Sequence, residues 1–204
     1  MTGWIQISLS LFNQSTTRIT WNLFLASIPL ILSCYLFRSR AIRNLAWWLL
    51  LIVFVTFLPN APYILTDSIH IIELSQKDYP LWSIILVLIP QYILFIIVGF
   101  EAYVISLTRL DNYLVNLVAK KNLILINAIA HLLCVVGIYI GRFERFNSWD
   151  LVTKPAEVIL TTIRDLLEIE NLFTIAIAFI LIWLVSELTK LVNNSYILTN
   201  SKNN

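Results

Sequence analysis

Five runs of apolar residues, each long enough to cross a lipid bilayer, dominate this sequence of 204 residues. A membrane-spanning helix needs roughly 20 apolar residues. The runs are continuous rather than alternating, and an open sheet cannot satisfy its backbone in lipid, so they indicate helices rather than strands. The sequence therefore predicts an all-α, integral membrane helical bundle of about five transmembrane helices. The predicted spans are 21–37, 45–65, 81–100, 123–140 and 172–188.

Charged residues are too scarce for a protein that is surrounded by water. They make up 13% of the chain, whereas 59% is hydrophobic. A soluble domain carries about 25% charged residues, so most of this surface is expected to face lipid. The net charge of +2 is small, and no dense basic cluster is present. We therefore expect the lipid bilayer, and not a nucleic acid, as the partner of this chain.

The spans divide the chain into three predicted parts: an N-terminal segment (1–20), a transmembrane domain (21–188) and a polar tail (189–204). Within the domain, the segment 155–170 has its apolar residues on one helical face, which predicts an interfacial helix. Those apolar residues are Ile159, Ile163, Leu166 and Leu167.

The orientation follows from the basic residues beside the first span. Arg18 precedes this span, and Arg38, Arg40 and Arg43 follow it. Lysine and arginine are enriched on the cytoplasmic side of membrane proteins. The pattern therefore predicts an N-terminus outside and, after five crossings, a C-terminus in the cytoplasm.

Two prolines, Pro59 and Pro62, interrupt the second span near its outer end, which predicts a broken second helix. Asn60 is suited to cap a helix that begins at this point. The helix would place Tyr63 and Asp67 on one face, which His70 and Glu73 then extend.

Asp67 and His70 are the candidate catalytic residues of this polar face. A carboxylate and an imidazole can move a proton or bind a divalent metal. Their spacing matches no standard metal signature, so the sequence leaves metal and cofactor unknown. An amphipathic helix whose polar face meets water is the alternative interpretation.

A second polar cluster, 141–150, follows the fourth span and is predicted on the same side of the membrane as Asp67. Two arginines in it could hold a phosphate or a carboxylate. A loop of satisfied ion pairs is the alternative. With two residues of the first cluster, the candidate ligand-binding residues are Asn60, Tyr63, Arg142, Arg145, Asn147 and Asp150.

Polar residues also lie inside the predicted spans. His131 and Gln91 fall near the middle of the membrane, and Asn127 lies one turn before His131. Such residues either line a transport path or join helices, with Gln91 or Asn127 bonded to His131. The cysteines, Cys34 and Cys134, are interpreted as small buried residues that form no disulfide.

The chain resembles a family of uncharacterised bacterial multi-pass membrane proteins, DUF1361. The resemblance rests on the segment 57–67, which contains the motif Pro-Asn-Ala-Pro-Tyr, on His70, and on the Gly-Arg-Phe and Asn-Ser-Trp-Asp motifs at 141–143 and 147–150. It extends over roughly residues 23–188. It implies a multi-pass fold and a bacterial cell (inner) membrane, and it supplies no activity, cofactor or mechanism.

Three functions remain open from the sequence. The first is a ligand-binding or catalytic protein whose polar site lies at the outer membrane face. The second is an accessory subunit that binds a partner membrane protein, and the third is a small transporter or channel component. A transporter of five spans without an internal repeat would be expected to form a homo-oligomer. Whether the chain is an enzyme is not decided by these residues.

Overall fold

The computed structural model describes residues 2–38, 42–77 and 79–202, with side chains for 3–38, 42–77 and 79–193. Within this part the chain forms ten α-helices: α1 (Thr2–Leu36), α2 (Leu45–Phe57), α3 (Asn60–Tyr63), α4 (Ile69–Ser75), α5 (Leu81–Ser83), α6 (Ile89–Leu114), α7 (Lys120–Tyr139), α8 (Asp150–Thr153), α9 (Pro155–Leu166) and α10 (Ile169–Lys202). A 3₁₀ segment (Ile64–Ser68) joins α3 to α4, a π segment (Ile84–Leu88) joins α5 to α6, and a second π segment (Ile140–Glu144) extends α7.

Five helical stretches are long and apolar enough to cross a membrane, counted over the described residues. This confirms the predicted all-α bundle of about five spans, and the described residues contain no strand. The protein is therefore a multi-pass membrane protein. The stretches are Gly3–Leu36, Leu45–Ser75, Leu81–Leu114, Lys120–Glu144 and Ile169–Asn193.

The ends of the chain are helical where they are described. α1 is continuous from Thr2, so the described part of the segment 1–20 belongs to the first long helix. α10 continues to Lys202. Residues 203–204 of the predicted polar tail and Arg40 lie outside the described residues, as do the side chains from 194 onward.

The prolines of the second span break its helix locally. Because Pro62 has no N–H, the carbonyl of Leu58 has no donor four residues later. The N–H of Ala61 donates to this carbonyl instead, at 3.2 Å. This bond spans three residues rather than four, so the turn is tighter than an α-helical turn. α2 therefore ends at Phe57, and α3 begins after two turn residues.

The prediction that Asn60 caps the new helix is wrong. Pro59 occupies the capping position and makes no side-chain capping bond. Asn60 instead donates from Nδ2 to the carbonyl of Phe57, at 2.9 Å. The proline break leaves this carbonyl without its usual helical donor, because Ala61 has turned to another carbonyl.

Proline also explains the irregular third span. The ring nitrogen of Pro90 cannot donate to the carbonyl of Leu86, four residues earlier. The preceding residues Ile84–Leu88 adopt a π segment, and the N–H of Ile89 donates five residues back to Ile84. The helix thus continues through the proline with one widened turn.

Two glycines let the broken second span pack closely against its neighbours. An ideal Cβ at Gly137 of α7 would lie 2.8 Å from the ring of Pro59. A Cβ at Gly99 of α6 would lie 2.1 Å from Cδ1 of Ile64. Only glycine allows these backbone approaches, so α6 and α7 hold the break between them.

The fourth span ends in a sharp change of direction. Arg145 follows the second π segment with φ 58°, in the left-handed region. The chain then forms α8 and α9, and α9 begins with Pro155, a residue favoured at a first helical position. α9 covers most of the predicted interfacial segment 155–170, and α10 starts at Ile169.

Candidate functional site

A cavity of about 590 Å³ lies where the broken second span meets α1, the end of α7 and α9. Its lining contains polar side chains, which we call the polar wall, and apolar side chains. The polar lining consists of Arg18, Asn22, Thr56, Asn60, Tyr63, Asp67, His70, Asn147, Ser148 and Thr162. The apolar lining includes Trp21, Leu25, Val55, Leu133, Val136, Ile140, Phe146, Leu151, Val158, Ile159 and Ile163.

Asp67 is the most buried polar residue of this lining, with 1% of its surface exposed. Nδ2 of Asn22 donates to its Oδ2 at 2.5 Å. Its Oδ1 lies 3.8 Å from Nε2 of His70 and 3.9 Å from a guanidinium nitrogen of Arg142. A buried carboxylate is costly unless it is paired. Partners from three different segments of the chain provide that pairing.

His70 lies between two carboxylates. Its Nδ1 is 2.6 Å from Oε2 of Glu73, and its Nε2 faces Asp67. An ionised carboxylate only accepts hydrogen bonds, so Nδ1 carries the proton of this pair. Glu73 is exposed and also lies 4.0 Å from Arg18. The bond to Glu73 fixes the imidazole with Nε2 on the side of Asp67, at a separation longer than a hydrogen bond.

Arg142 contacts Asp67 and the 3₁₀ segment from outside the cavity lining. It donates to the backbone carbonyl of Thr66 at 3.0 Å and lies beside Asp67. Both contacts hold the 3₁₀ segment against the end of α7. Arg142 does not belong to the cavity lining. Its guanidinium therefore lies beside Asp67 and binds the 3₁₀ segment.

The two predicted polar clusters meet in the structure. Asn60 of the broken span donates to Oγ of Ser148 in the loop before α8, at 3.0 Å. An ideal Cβ at Gly141 would lie 3.4 Å from the ring of Tyr63. With the pair between Arg142 and Asp67, these contacts join both clusters into one wall.

The other predicted ligand-binding residues have different positions. Asn60, Tyr63 and Asn147 line the cavity. Asp150 lies outside the lining and accepts the backbone N–H of Asn147 at 2.6 Å, which shapes the loop. Arg145 is exposed, lies outside the lining and has a left-handed backbone conformation.

Arg18 and Asn22 also line the cavity, although no sequence motif indicated them as site residues. They lie four residues apart and therefore share one face of α1. Asn22 is an amide within the first predicted span, which is a signal of interhelical hydrogen bonding. Its partner could not be identified without the packing of α1.

The described residues contain no group of three or more His, Cys, Asp or Glu that could hold a metal ion. In the polar wall, both ring nitrogens of His70 are directed at carboxylates. The imidazole is therefore flanked by Glu73, which binds Nδ1, and by Asp67 on the side of Nε2.

The polar residues deeper in the membrane join helices and do not meet one another as predicted. Gln91 accepts from Ser15 of α1 at 2.7 Å. His131 donates from Nδ1 to the carbonyl of Asn127 in its own helix, at 2.8 Å, and stacks on Trp183. Of the two predicted partners of His131, Gln91 is therefore wrong, and Asn127 binds it through its backbone carbonyl within one helix rather than between helices.

Asn127 reaches a different helix. Its Nδ2 donates to Oδ1 of Asp111 in α6, at 2.6 Å. Both cysteines are free, as predicted. Cys134 is buried, but Cys34 is exposed on the surface of the bundle, so the prediction that both are buried is wrong for Cys34.

A family model described as a protein of unknown function (DUF1361) matches residues 21–184, which is most of the chain. The matched region contains the broken second span and the loop that meets it. No curated protein and no solved structure matches the chain. The chain belongs to the DUF1361 family.

Proposed function

We propose that this membrane protein binds the polar head of an amphipathic ligand in the cavity at the end of the bundle. The observation that carries the proposal is Asp67, a buried carboxylate that lines the cavity and is held by three other segments of the chain. Burying a carboxylate costs free energy, and proteins accept this cost at functional sites.

The head group that fits this lining is neutral and rich in hydroxyls. The polar wall is made mainly of amides and hydroxyls, which both donate and accept hydrogen bonds. Of the three arginines near the site, only Arg18 lines the cavity, while Arg142 is bonded behind Asp67 and Arg145 is exposed. The lining thus gives no support to an anionic head held by Arg142 and Arg145, and a neutral head is the one it favours.

Asp67 and His70 are the proposed catalytic pair for chemistry on the bound head. Asp67 would accept a hydrogen bond from a ligand hydroxyl, and His70 would carry the proton. Support comes from the bond between His70 and Glu73, which fixes the ring as the third member of a catalytic triad does. Asn60, Tyr63 and Asn147 are the proposed ligand-binding residues beside them.

The apolar half of the lining supports an amphipathic ligand. It contains aliphatic side chains from five helices and Trp21, whose ring centroid is 6.5 Å from that of Trp149. Tryptophan is enriched where membrane meets water. A ligand in this cavity would therefore lie at the membrane surface, with its head toward Asp67.

We place this site at the outer face of a bacterial cell membrane, with the N-terminus outside and the C-terminus in the cytoplasm. The basic residues Arg38 and Arg43 after the first span support this orientation, because arginine favours the cytoplasmic side. The bacterial assignment follows from the family resemblance of the sequence.

The binding proposal can be tested with three probes that share a decyl tail and differ in the head: decyl glucoside, decyl phosphate and decyltrimethylammonium. Thermal unfolding is measured in phosphatidylcholine nanodiscs, at probe levels that leave the discs intact. A ligand that binds only the folded protein raises its unfolding temperature. We expect decyl glucoside to give the largest rise.

Two isosteric variants locate the binding. Asp67→Asn should lose the rise caused by decyl glucoside, whereas Asp111→Asn, in the remote pair with Asn127, should keep it. The same rise in Asp67→Asn would refute the site. A larger rise with decyl phosphate than with the glucoside would refute the neutral head.

A further inference from the structure

A second cavity, of about 260 Å³, lies deeper in the membrane between α2, the end of α6 and the middle of α7. Its lining is formed by aliphatic and aromatic side chains and a cysteine. The lining residues are Phe37, Trp47, Leu51, Phe54, Val55, Leu58, Leu110, Tyr113, Leu114, Ile126, Ile129, Ala130, Leu133 and Cys134.

The polar atoms of the lining aromatics have partners elsewhere. Nε1 of Trp47 donates to the carbonyl of Leu36 at 3.0 Å. The hydroxyl of Tyr113 accepts from Nε of Arg43 at 2.9 Å. These two residues therefore present only ring surface to the cavity, which suits an alkyl chain and not a head group.

The two cavities share part of their walls. Val55 of α2 and Leu133 of α7 line both of them. Both side chains are partly exposed, at 39% and 48%. The close approach of Gly137 to Pro59 packs α7 on the broken span, and the Val55 and Leu133 side chains border both the polar site and the apolar cavity.

The depth of the second cavity corresponds to one half of a bilayer. Its lining on α2 extends from Leu58 to Trp47, which is about 16 Å at a helical rise of about 1.5 Å per residue. The hydrocarbon core of a membrane is roughly 30 Å thick, so one leaflet is about half of that. A long alkyl tail matches this depth, and a short one does not.

We propose that the ligand is a long-chain lipid whose head lies in the first cavity and whose alkyl tail lies in the second. This inference rests on the proposed function, because it names the class of molecule that the polar site binds. The tail would leave the first cavity beside Val55 and Leu133 and enter the second between α2 and α7.

The test uses dodecyl glucoside with a diazirine at the end of its tail, in phosphatidylcholine nanodiscs. After illumination, the labelled residues are mapped by mass spectrometry, with and without excess unlabelled dodecyl glucoside. We expect the label on the segments around Leu51 and Cys134, and we expect the competitor to remove it. Labelling by lipid that merely surrounds the bundle would not be removed.

Neighbouring tryptophan variants distinguish a bound tail from surrounding lipid. Leu133→Trp would block the passage between the cavities and abolish the competed label. Leu132→Trp is the matched control, because Leu132 is 46% exposed and lines neither cavity. Ala130→Leu, which fills the second cavity with a smaller side chain, should also lose the label.

The outcomes separate the two proposals. Label that is spread over all lipid-facing helices, or that is unchanged in folded Leu133→Trp or Ala130→Leu protein, would overturn the tail site. Hexyl glucoside, whose tail is too short for the second cavity, should still raise the unfolding temperature in that case. If hexyl glucoside also has no effect on the wild-type protein, the head site itself is refuted.

Discussion

Gly99 provides the sharpest test of how the broken second span packs. In Gly99→Ala, the new Cβ would lie 2.1 Å from Cδ1 of Ile64 and 3.2 Å from its two Cγ atoms. Ile64 is fully buried, so its side chain has little room to move. Overpacking of this kind lowers the free energy of unfolding by about 1–3 kcal/mol. The better helix propensity of alanine offsets about 1 kcal/mol of this loss.

The second variant, Ile64→Val, deletes the Cδ1 atom that Gly99→Ala would strike. On its own it should lower the free energy of unfolding by about 0.5–1.5 kcal/mol, as loss of a buried methyl group does. Combined with Gly99→Ala it removes the closest contact. The double variant should therefore be more stable than the sum of both effects predicts, by about 1 kcal/mol or more.

The assay is unfolding in mixed micelles with increasing SDS, followed by tryptophan fluorescence. Gly3→Ala combined with Ile64→Val is the control, because a Cβ at Gly3 meets nothing within 4 Å. That pair should be additive. Additivity of Gly99→Ala and Ile64→Val within about 0.5 kcal/mol would refute the close contact between α6 and the 3₁₀ segment.

Two further predictions concern the wall that carries the polar site. Arg142→Gln should lower the free energy of unfolding by about 1–3 kcal/mol, because it leaves a buried carboxylate without its cation, whereas Arg145→Gln should be neutral in the same assay. Gly137→Ala should lower the unfolding temperature, because its Cβ would lie 2.8 Å from a rigid proline ring, and Gly141→Ala, at 3.4 Å from its nearest neighbour, should change it little. Equal effects within either pair would contradict the described packing.

Features that depend on local chemistry could be predicted from the sequence. The all-α bundle of about five spans follows from the length of the apolar runs, and it is confirmed. The break at Pro59 and Pro62 follows from the missing N–H of proline, and the helix ends where it is expected to end. The face that carries Tyr63, Asp67 and His70 follows from helical spacing, and all three residues line one cavity.

Predictions of hydrogen-bond partners were wrong where a polar side chain can bond either within its own segment or to a distant one. Asn60 is a favourable capping residue, yet its amide bonds the carbonyl of Phe57 and the hydroxyl of Ser148. By their positions along the third and fourth spans, Gln91 and His131 lie at similar depths in the membrane, but Gln91 contacts α1. Depth along a span does not say which helix is the neighbour.

The sequence by itself determined the membrane-spanning class, the number of spans and the two polar clusters, because run length, proline and side-chain spacing act within one segment. Only the tertiary structure decided that Asn22 and Arg142 both meet Asp67, and that Arg145 does not join them. The physical reason is the solvent. Helices that are apolar on every side have no face that lipid selects, so their rotation and partners are set by close packing at Gly99 and Gly137.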